Sequence, residues 1–292
     1  MVNAANGKIR PGSGIARRKS VGMYVGKALI ALFVLMEFYP IIWIFFSSMK
    51  STEEFALSAS YALPKGFHVQ NYIDAWNRGR MNIYFKNSAI VTLVSLLFIV
   101  LFSTTASFAL TKMRWKFRDK VMQIFLSGIM VPTAVVLIPL YSIFNRLHFT
   151  NTYWSLILTY IAFGLPLSIF LMRSYLVSLP DDMIEAAVID GANIYQVFMR
   201  IMLPLMKTGI VTVLVIQFYF RWNDLMFSMT FISDSAMKTV QTGLLYFSDQ
   251  YGNRNWGAIF ACISISVLPT LILYVSLNKF VIEGMTAGAV KG

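Results

Sequence analysis

Two short segments place charged and hydrogen-bonding side chains in a chain that is otherwise apolar. The segment EAAVIDGANIYQVFMRIMLP, residues 185–204, contains two acids, one base and a glycine between long apolar runs. The segment RWND, residues 221–224, lies inside an apolar run. A charge in an apolar interior is costly, so Arg221 and Asp224 are expected to face each other, a protein partner or a water-filled cavity.

The RWND segment permits two interpretations that the sequence leaves open. On a helix, Arg221 and Asp224 are three residues apart and could neutralise each other as an ion pair. In the alternative interpretation, a polar solute follows a path that is lined by Trp222, Asn223 and Asp224. An aromatic ring suits an apolar face of such a solute, and an amide can both donate to and accept from its polar groups.

Catalytic and cofactor chemistry is not expected of this chain. The sequence contains no glycine-rich loop ending in Gly-Lys-Ser or Gly-Lys-Thr, so any nucleotide must be bound by another chain. The single cysteine, Cys262, lies in an apolar run and cannot form an intramolecular disulfide. We therefore expect no catalytic residue, no metal ligand and no cofactor, and the chain is not expected to be an enzyme.

The elements that must position these residues are membrane helices. The chain is 57% apolar and 13% charged, with a mean hydropathy of +0.64, a composition typical of polytopic membrane proteins. A spanning helix needs about 20 mostly apolar residues. The sequence predicts an all-α protein with six transmembrane helices, over residues 28–46, 88–110, 121–144, 152–172, 209–232 and 257–277. Breaks or kinks are expected within the spans at Pro132, Pro139, Pro166 and Pro269.

Basic side chains indicate how these helices are oriented. They concentrate in the N-terminal tail and in the connection TKMRWKFRDK, residues 111–120. Since Lys and Arg are enriched in cytoplasmic connections, both termini are predicted to be cytoplasmic, together with the connection at residues 173–208. The net charge of +12 suits an anionic membrane surface, so we expect membrane lipid and no nucleic acid as a partner.

The connection at residues 173–208 has the pattern of two short helices. Asp181 and Asp182 follow a proline and favour a helix start, because the helix dipole attracts negative charge there. Gly191 permits a turn that a side chain would resist, and Asn193 with Gln196 resembles the N-cap of a second helix. The predicted product is a bent pair of helices, too short and too charged to cross a membrane.

Such a bent pair has two possible roles. It could lie at the lipid surface as an anchor. It could also dock on a protein, and the acids favour this role because anionic lipid repels Glu185 and Asp190.

The same residues carry a resemblance to a known family. The pattern Glu-Ala-Ala, three residues, Gly, nine residues, Ile, one residue, Leu-Pro is met in full by Glu185, Ala186, Ala187, Gly191, Ile201, Leu203 and Pro204. This resembles the coupling motif of permease subunits of ATP-binding-cassette (ABC) importers. Further segments are similar to the shorter, maltose-transporter-type subunit of the carbohydrate branch, among them LPKGFHVQNY, IPLYSIFNRLHFTNTYWSLIL, RWNDLMF and EGMTAGAVKG. The resemblance covers residues 64–292, with a weaker first span, and Arg221 departs from the family pattern.

The resemblance implies a type I ABC importer permease fold in a prokaryotic cytoplasmic (inner) membrane. Its implied parts are an N-terminal tail, a first transmembrane helix, an extracytoplasmic connection, a permease core and a C-terminal tail, at residues 1–27, 28–46, 47–87, 88–281 and 282–292. Coupling helices are implied at about residues 181–203.

The resemblance also implies an assembly. Family members pair with a second homologous permease subunit as a heterodimer, with two copies of a cytoplasmic ABC ATPase and with an extracytoplasmic solute-binding protein. The implied substrate is an oligosaccharide, and an alginate-like oligosaccharide, a polyol or glycerol phosphate is left open. An ion-coupled secondary transporter is the remaining alternative, although the spans offer few titratable groups apart from Glu37 and Asp224.

Three groups of contact residues follow from the resemblance. The implied ATPase-coupling residues are Glu185, Ala186, Ala187, Asp190, Gly191, Ile201, Leu203 and Pro204. The C-terminal residues Lys291 and Gly292 are implied to contact the ATPase, unless they are a frayed terminus. The loop tip Asn253, Arg254 and Asn255 is implied to contact the binding protein, unless it is an ordinary turn.

Overall fold

The computed structural model describes residues 13–59, 61–250 and 255–289, and the regular structure of these ranges is helical, with no strand. The helices are α1 Ser13–Ser47, α2 Thr52–Leu57, α3 Gln70–Asn77, α4 Met81–Thr111, α5 Arg118–Ile129, α6 Thr133–Arg146, α7 Tyr153–Val177, α8 Asp182–Ile189, α9 Ile194–Gln196, α10 Leu203–Leu205, α11 Lys207–Trp222, α12 Met226–Phe231, α13 Val240–Gln250 and α14 Trp256–Ala289. A π-helix, Val197–Met202, joins α9 to α10.

Four helices in the described part of the chain are long and apolar enough to cross a membrane. They are Gly22–Ser47 of α1, the whole of α4 and α7, and Trp256–Leu277 of α14. Two more spans exist if each of two bent units is taken as one, α5 with α6, and residues 194–205 with α11. The helical, multi-pass character is confirmed, whereas the number six and the cytoplasmic position of the termini stay predictions.

The third predicted span, residues 121–144, is not one straight helix. α5 ends at Ile129, α6 begins at Thr133, and the two helices are bent by 100°. Pro132 precedes α6 with an extended backbone, φ −67° and ψ 123°. Because a proline ring disfavours helical geometry in the residue before it, the helix ends here. The other three prolines named above lie inside helices.

The fifth predicted span, residues 209–232, also ends early. α11 stops at Trp222, and α12 begins only at Met226. The carboxylate of Asp224 accepts the backbone N–H groups of Phe227 and Ser228, which starts a new helix at this point. A helix break therefore replaces the continuous span that the apolar composition predicts.

The centre of the fold is the packing of α4 against α7, with α11 and α14 around it. One stripe of α4 buries small polar side chains: Ser88, Thr92, Ser95, Ser103, Thr104 and Ser107. Within a membrane the hydrophobic effect does not drive helices together, so helix pairs depend on close packing. Small side chains permit this packing because they let the helix backbones approach closely. α1 packs on α14 and leaves most of its apolar side chains exposed.

Two asparagines hold the connection between α12 and α13 at one end of the bundle. Asn87 of α4 donates to two carbonyl oxygens of the connection, both at 2.9 Å, and accepts from the Tyr153 hydroxyl at 2.7 Å. Asn151, in the left-handed region at φ 56°, accepts the N–H groups of Ser233 at 2.7 Å and Asp234 at 3.0 Å. These bonds turn the chain so that α12 packs beside α6 and α7.

Candidate functional site

Residues 181–206, here named the motif segment, contain the two short helices that the sequence predicts. The carboxylate of Asp181, just before α8, pairs with the ammonium group of Lys112 at the end of α4, at 2.5 Å. The same ammonium group donates to the carbonyl oxygen of Leu179 at 2.8 Å. The start of α8 is therefore tied to α4, one of the two central helices.

A tight turn joins α8 to α9. Gly191 has φ +85°, a conformation that side chains disfavour, and an added Cβ would meet nothing within 4 Å. Asn193 and Gln196 then form a reciprocal capping box, each side chain accepting the other's backbone N–H at 2.9 Å. The direction of α8 relative to α9 is thus set by a backbone conformation and a cap rather than by packing around the turn.

The motif segment has one buried face and one exposed face. Ala187, Val197 and Met202 are buried in a core cluster with side chains of α4 and α7. Around the turn, by contrast, Ile189 is 85% exposed and Tyr195 is 80% exposed. Large apolar side chains grouped at the surface of a folded element indicate a contact surface, so we name Val188, Ile189, Tyr195 and Met199 the exposed knob.

Acidic groups accompany the exposed knob. Glu185 and Asp190 are exposed, and neither carboxylate has a hydrogen bond or ion pair to another described residue. Both are therefore available to a cation from outside the chain. Ala186 and Pro204 are also exposed, whereas Ile201 and Leu203 are half-buried and support the segment from below.

The motif segment ends in a bend. The π-helix Val197–Met202 leads into α10, and the helical unit of residues 194–205 meets α11 at an angle of 69°. Phe198 of the π-helix packs against Phe108 of α4, with ring centroids 5.1 Å apart. The segment therefore contacts α4 at its start, through Asp181, and again through Phe198, so that it is supported on both sides of the turn at Gly191.

A second site lies where the two helix breaks meet α7. A cavity of about 330 Å³ is lined by Gly128, Ile129, Val131, Thr133, Phe163, Pro166, Leu167, Gln217, Phe220, Arg221, Asp224, Met226 and Phe227. Pro166 is near the middle of α7, so the cavity lies about halfway along this helix. Its lining residues come from the end of α5, from α7 and from the break between α11 and α12.

The polar residues of this cavity are joined by hydrogen bonds. The Tyr160 hydroxyl donates to Oδ2 of Asp224 at 2.8 Å. Arg221 lies over the ring of Tyr160, 5.2 Å from its centroid, and its Nη2 donates to Oε1 of Gln217 at 2.9 Å. Gln217 in turn donates to the Gly164 carbonyl at 3.1 Å and to the Ser168 hydroxyl at 3.0 Å.

The expected ion pair between Arg221 and Asp224 does not form among the described residues, because α11 ends between them. Asp224 turns toward α12 and Tyr160, while Arg221 turns toward Gln217. Neither Tyr160 nor Gln217 was identified from the sequence. The only sequence signal for them is a polar group inside an otherwise apolar run.

Trp222 and Asn223 occupy different environments. The indole of Trp222 is 3% exposed, stacks on Phe218 at 5.4 Å and donates to the Ser266 carbonyl at 2.9 Å. Its ring therefore belongs to the core and has no free face for a solute. Asn223 is exposed and donates to the carbonyl of Tyr219 at 2.9 Å.

The predicted binding-protein and tail contacts fall at the edges of the described chain. Asn253, Arg254, Lys291 and Gly292 lie outside the described residues. Asn255 is half-buried and immediately precedes α14: its side-chain oxygen accepts the N–H of Ala258 and the hydroxyl of Thr52, both at 3.2 Å.

Comparison with known proteins gives consistent results. Residues 99–286 match the family described as "Binding-protein-dependent transport system inner membrane component". The chain is 35% identical to "Probable ABC transporter permease protein YurM" of Bacillus subtilis (strain 168), over 92% of this chain and 90% of that protein. It is 30% identical to "Trehalose/maltose transport system permease protein MalG" of Thermococcus litoralis, over 94% and 98%.

The structural comparison concerns the fold alone. A chain from "Crystal structure of a bacterial ABC transporter involved in the import of the acidic polysaccharide alginate" superposes with a TM-score of 0.79 at 22% sequence identity. The match covers 90% of this chain and 97% of that chain. The arrangement of helices described above is therefore a known fold.

Proposed function

Because the chain belongs to the family of binding-protein-dependent transport system inner membrane components, a family of ABC transporter permeases that includes sugar permeases, we propose that it forms half of the translocation pathway of an ATP-driven oligosaccharide importer. In this proposal the motif segment couples the pathway to a cytoplasmic ATPase.

The coupling role is supported by one observation, which is that the exposed knob lies on a segment whose opposite face is buried. Four large apolar side chains and two acids that are unpaired within the described residues surround the turn at Gly191, while the opposite face is buried against α4 and α7. An element that transmits displacement must be held firmly by its own chain on its buried face and must be complementary to a partner on its exposed face. Glu185 offers a carboxylate for a basic group of the ATPase, and a charge-assisted hydrogen bond of this kind is among the stronger polar contacts.

The proposed assembly contains a second homologous permease, two copies of the ATPase and a solute-binding protein. The family description itself names dependence on a binding protein. A structure of similar fold is that of a "bacterial alginate ABC transporter in complex with alginate pentasaccharide-bound periplasmic protein". By extension, we place the binding-protein contact of this chain at residues 253–255, and the C-terminal contact with the ATPase at residues 291–292.

An oligosaccharide is the proposed solute class. The names of relatives include diacetylchitobiose, melibiose, raffinose, stachyose, trehalose and maltose. Each of these solutes contains at least two hydroxyl-bearing sugar rings, which supports an oligosaccharide as the solute of this chain.

The pathway is proposed to pass Asn223 and Asp224, next to the cavity, with Trp222 behind it in the core. Two alanine variants should then behave differently. Trp222→Ala removes a buried indole and should cost about 3–5 kcal/mol of stability, seen as a lower Tm and a lower yield of assembled complex. Asn223→Ala should assemble at the wild-type level and yet take up sugar more slowly. Equal loss of assembly in both variants would contradict a pathway role for Asn223.

The proposed function as a whole is tested by purification and by the energy source of uptake. A tag on this chain should recover an ABC ATPase and a second permease from detergent extracts. Proteoliposomes containing that complex should accumulate sugar when ATP is inside and the binding protein is outside, because an importer moves its solute toward the side of the ATPase. Accumulation by the isolated chain on a proton or sodium gradient would instead show a secondary transporter.

A further inference from the structure

We propose that the cavity beside Arg221 is a binding subsite for one ring of a carbohydrate, and that Arg221 selects the ligand by donating hydrogen bonds to its oxygen atoms. This inference rests on the proposed transport function, and it adds the residue that recognises the solute within the membrane part of the protein.

Arg221 has more hydrogen-bond donors than its neighbours use. A guanidinium group carries five N–H donors. Nη2 donates to Gln217, but Nε is buried and has no hydrogen-bond partner among the described residues. Nη1 also has no hydrogen-bond partner among the described residues and, unlike Nε, is not fully covered, so an oxygen-rich ligand in the adjoining cavity would gain a hydrogen bond from it.

Two of the other three polar side chains that line the cavity are already engaged, and the third, the hydroxyl of Thr133, can donate as well as accept. Asp224 accepts three hydrogen bonds, from the Tyr160 hydroxyl and from the N–H groups of Phe227 and Ser228. Gln217 accepts from Arg221 and donates twice to α7. The cavity therefore presents an excess of donors to a ligand, which suits a molecule rich in acceptor oxygens.

The rest of the lining suits a sugar ring. Phe163, Phe220 and Phe227 supply aromatic surface, which packs well against the C–H face of a sugar. The volume of about 330 Å³ lies at the lower end of the range for small-molecule sites, about 300–1,000 Å³, so one ring at a time fits. Phe220 and Met226 are about half exposed, so the cavity opens at the surface of the chain.

The charge balance separates a carbohydrate from a simple anion. Arg221 and Asp224 line the same cavity and carry opposite charges. Their charges offset each other, so a neutral polyhydroxyl ring can bind without adding an unpaired charge to the membrane interior, whereas an isolated anion would bring one.

A thiol placed in the cavity reports directly on occupancy. Thr133→Cys adds a cysteine to the lining, and the native Cys262 is fully buried and should not react. Met130→Cys is the matched control, because Met130 is exposed near the same helix break but does not line the cavity. The measured quantity is the rate of maleimide labelling of this chain in the purified complex that contains the ATPase and the second permease.

The ligand is the sugar that the complex takes up fastest from a panel of three neutral oligosaccharides: maltotriose, raffinose and diacetylchitobiose. Labelling is measured with this sugar in the resting complex, and again after trapping with ATP and vanadate in the presence of sugar-loaded binding protein. We expect the sugar to slow labelling of Thr133→Cys at least about fivefold in one of the two states and to change Met130→Cys less than about twofold, because a bound ring covers only the lining residues.

Variants of Arg221 test its role. Arg221→Leu should abolish the protection and raise the KM for uptake about tenfold or more, the effect of one lost charge-assisted hydrogen bond, while the ATPase still copurifies. Arg221→Gln keeps an amide donor for Gln217 and serves as the second variant if the leucine variant does not assemble. Arg221→Lys should retain part of the protection, because it keeps the cation without the planar fork.

Three results would count against the inference. Sugar uptake without protection of Thr133→Cys in either state would show that the cavity is not a subsite, although the proposed importer function would stand. Protection that persists in both Arg221→Leu and Arg221→Gln would show that Arg221 does not select the ligand. Protection by sulfate equal to that by the sugar would indicate an anion site. Failure of the ATPase to copurify with the wild-type chain would contradict the proposed function instead.

Discussion

Replacing Gly191 with valine is expected to reduce sugar uptake to less than about a tenth of the wild-type rate while the ATPase still hydrolyses ATP. Gly191 adopts φ +85°, and a β-branched residue there is a severe outlier, with a strain of at least about 1–2 kcal/mol. The turn would relax by changing its backbone angles, which would rotate α8 and the exposed knob away from their partner. Uptake and ATP hydrolysis should be measured together in proteoliposomes.

The control for this prediction is Gly191→Asn. Asparagine tolerates the left-handed region better than other side chains, and no atom lies within 4 Å of the position of an added Cβ. The asparagine variant should therefore retain most of the uptake, whereas a purely steric effect would harm both variants. Normal uptake in Gly191→Val would contradict the coupling role of the motif segment.

Replacing Glu185 with lysine is expected to have a comparably large effect through charge. Glu185 is exposed and has no partner among the described residues, so the substitution should leave the fold of this chain unchanged. If its carboxylate meets a basic group of the ATPase, the lysine creates a like-charge contact, which can cost several kcal/mol at an interface. Both uptake and the amount of ATPase recovered with the tagged chain should fall at least about tenfold.

Two comparisons make this second prediction specific. Asp119→Lys makes the same charge change at an exposed acid whose only described partner is its neighbour Arg118, at 3.3 Å, and such a surface pair contributes little. That variant should behave like the wild type. A reciprocal reversal of charge on the ATPase should restore part of the function of Glu185→Lys.

The alternative role of the motif segment predicts the opposite behaviour. If the segment were only an anchor at the lipid surface, Glu185→Lys would strengthen its attraction to anionic lipid. Uptake and ATPase recovery would then stay near wild-type values, and that result would contradict the coupling role.

The sequence by itself determined the short helices of the motif segment. Three local signals set these helices: the acids at the start of α8, the glycine of the turn and the Asn193–Gln196 cap. Each signal acts on backbone groups no more than about four residues away, so its effect does not depend on the rest of the fold. The four long apolar helices were equally predictable, because a run of about 20 apolar residues is itself the physical requirement for a membrane helix.

Only the tertiary structure decided the environment of the RWND segment. Apolar composition alone does not distinguish lipid from protein core, so it could not show that Trp222 is buried while Asn223 is exposed. Two hydrogen bonds of this network also join residues that are distant in sequence: Tyr160 is 64 residues from Asp224, and Gln217, the partner of Arg221, reaches Gly164 across 53 residues. Contacts over such separations form only when α7 packs against α11, and this packing, together with the break at Pro132, creates the cavity.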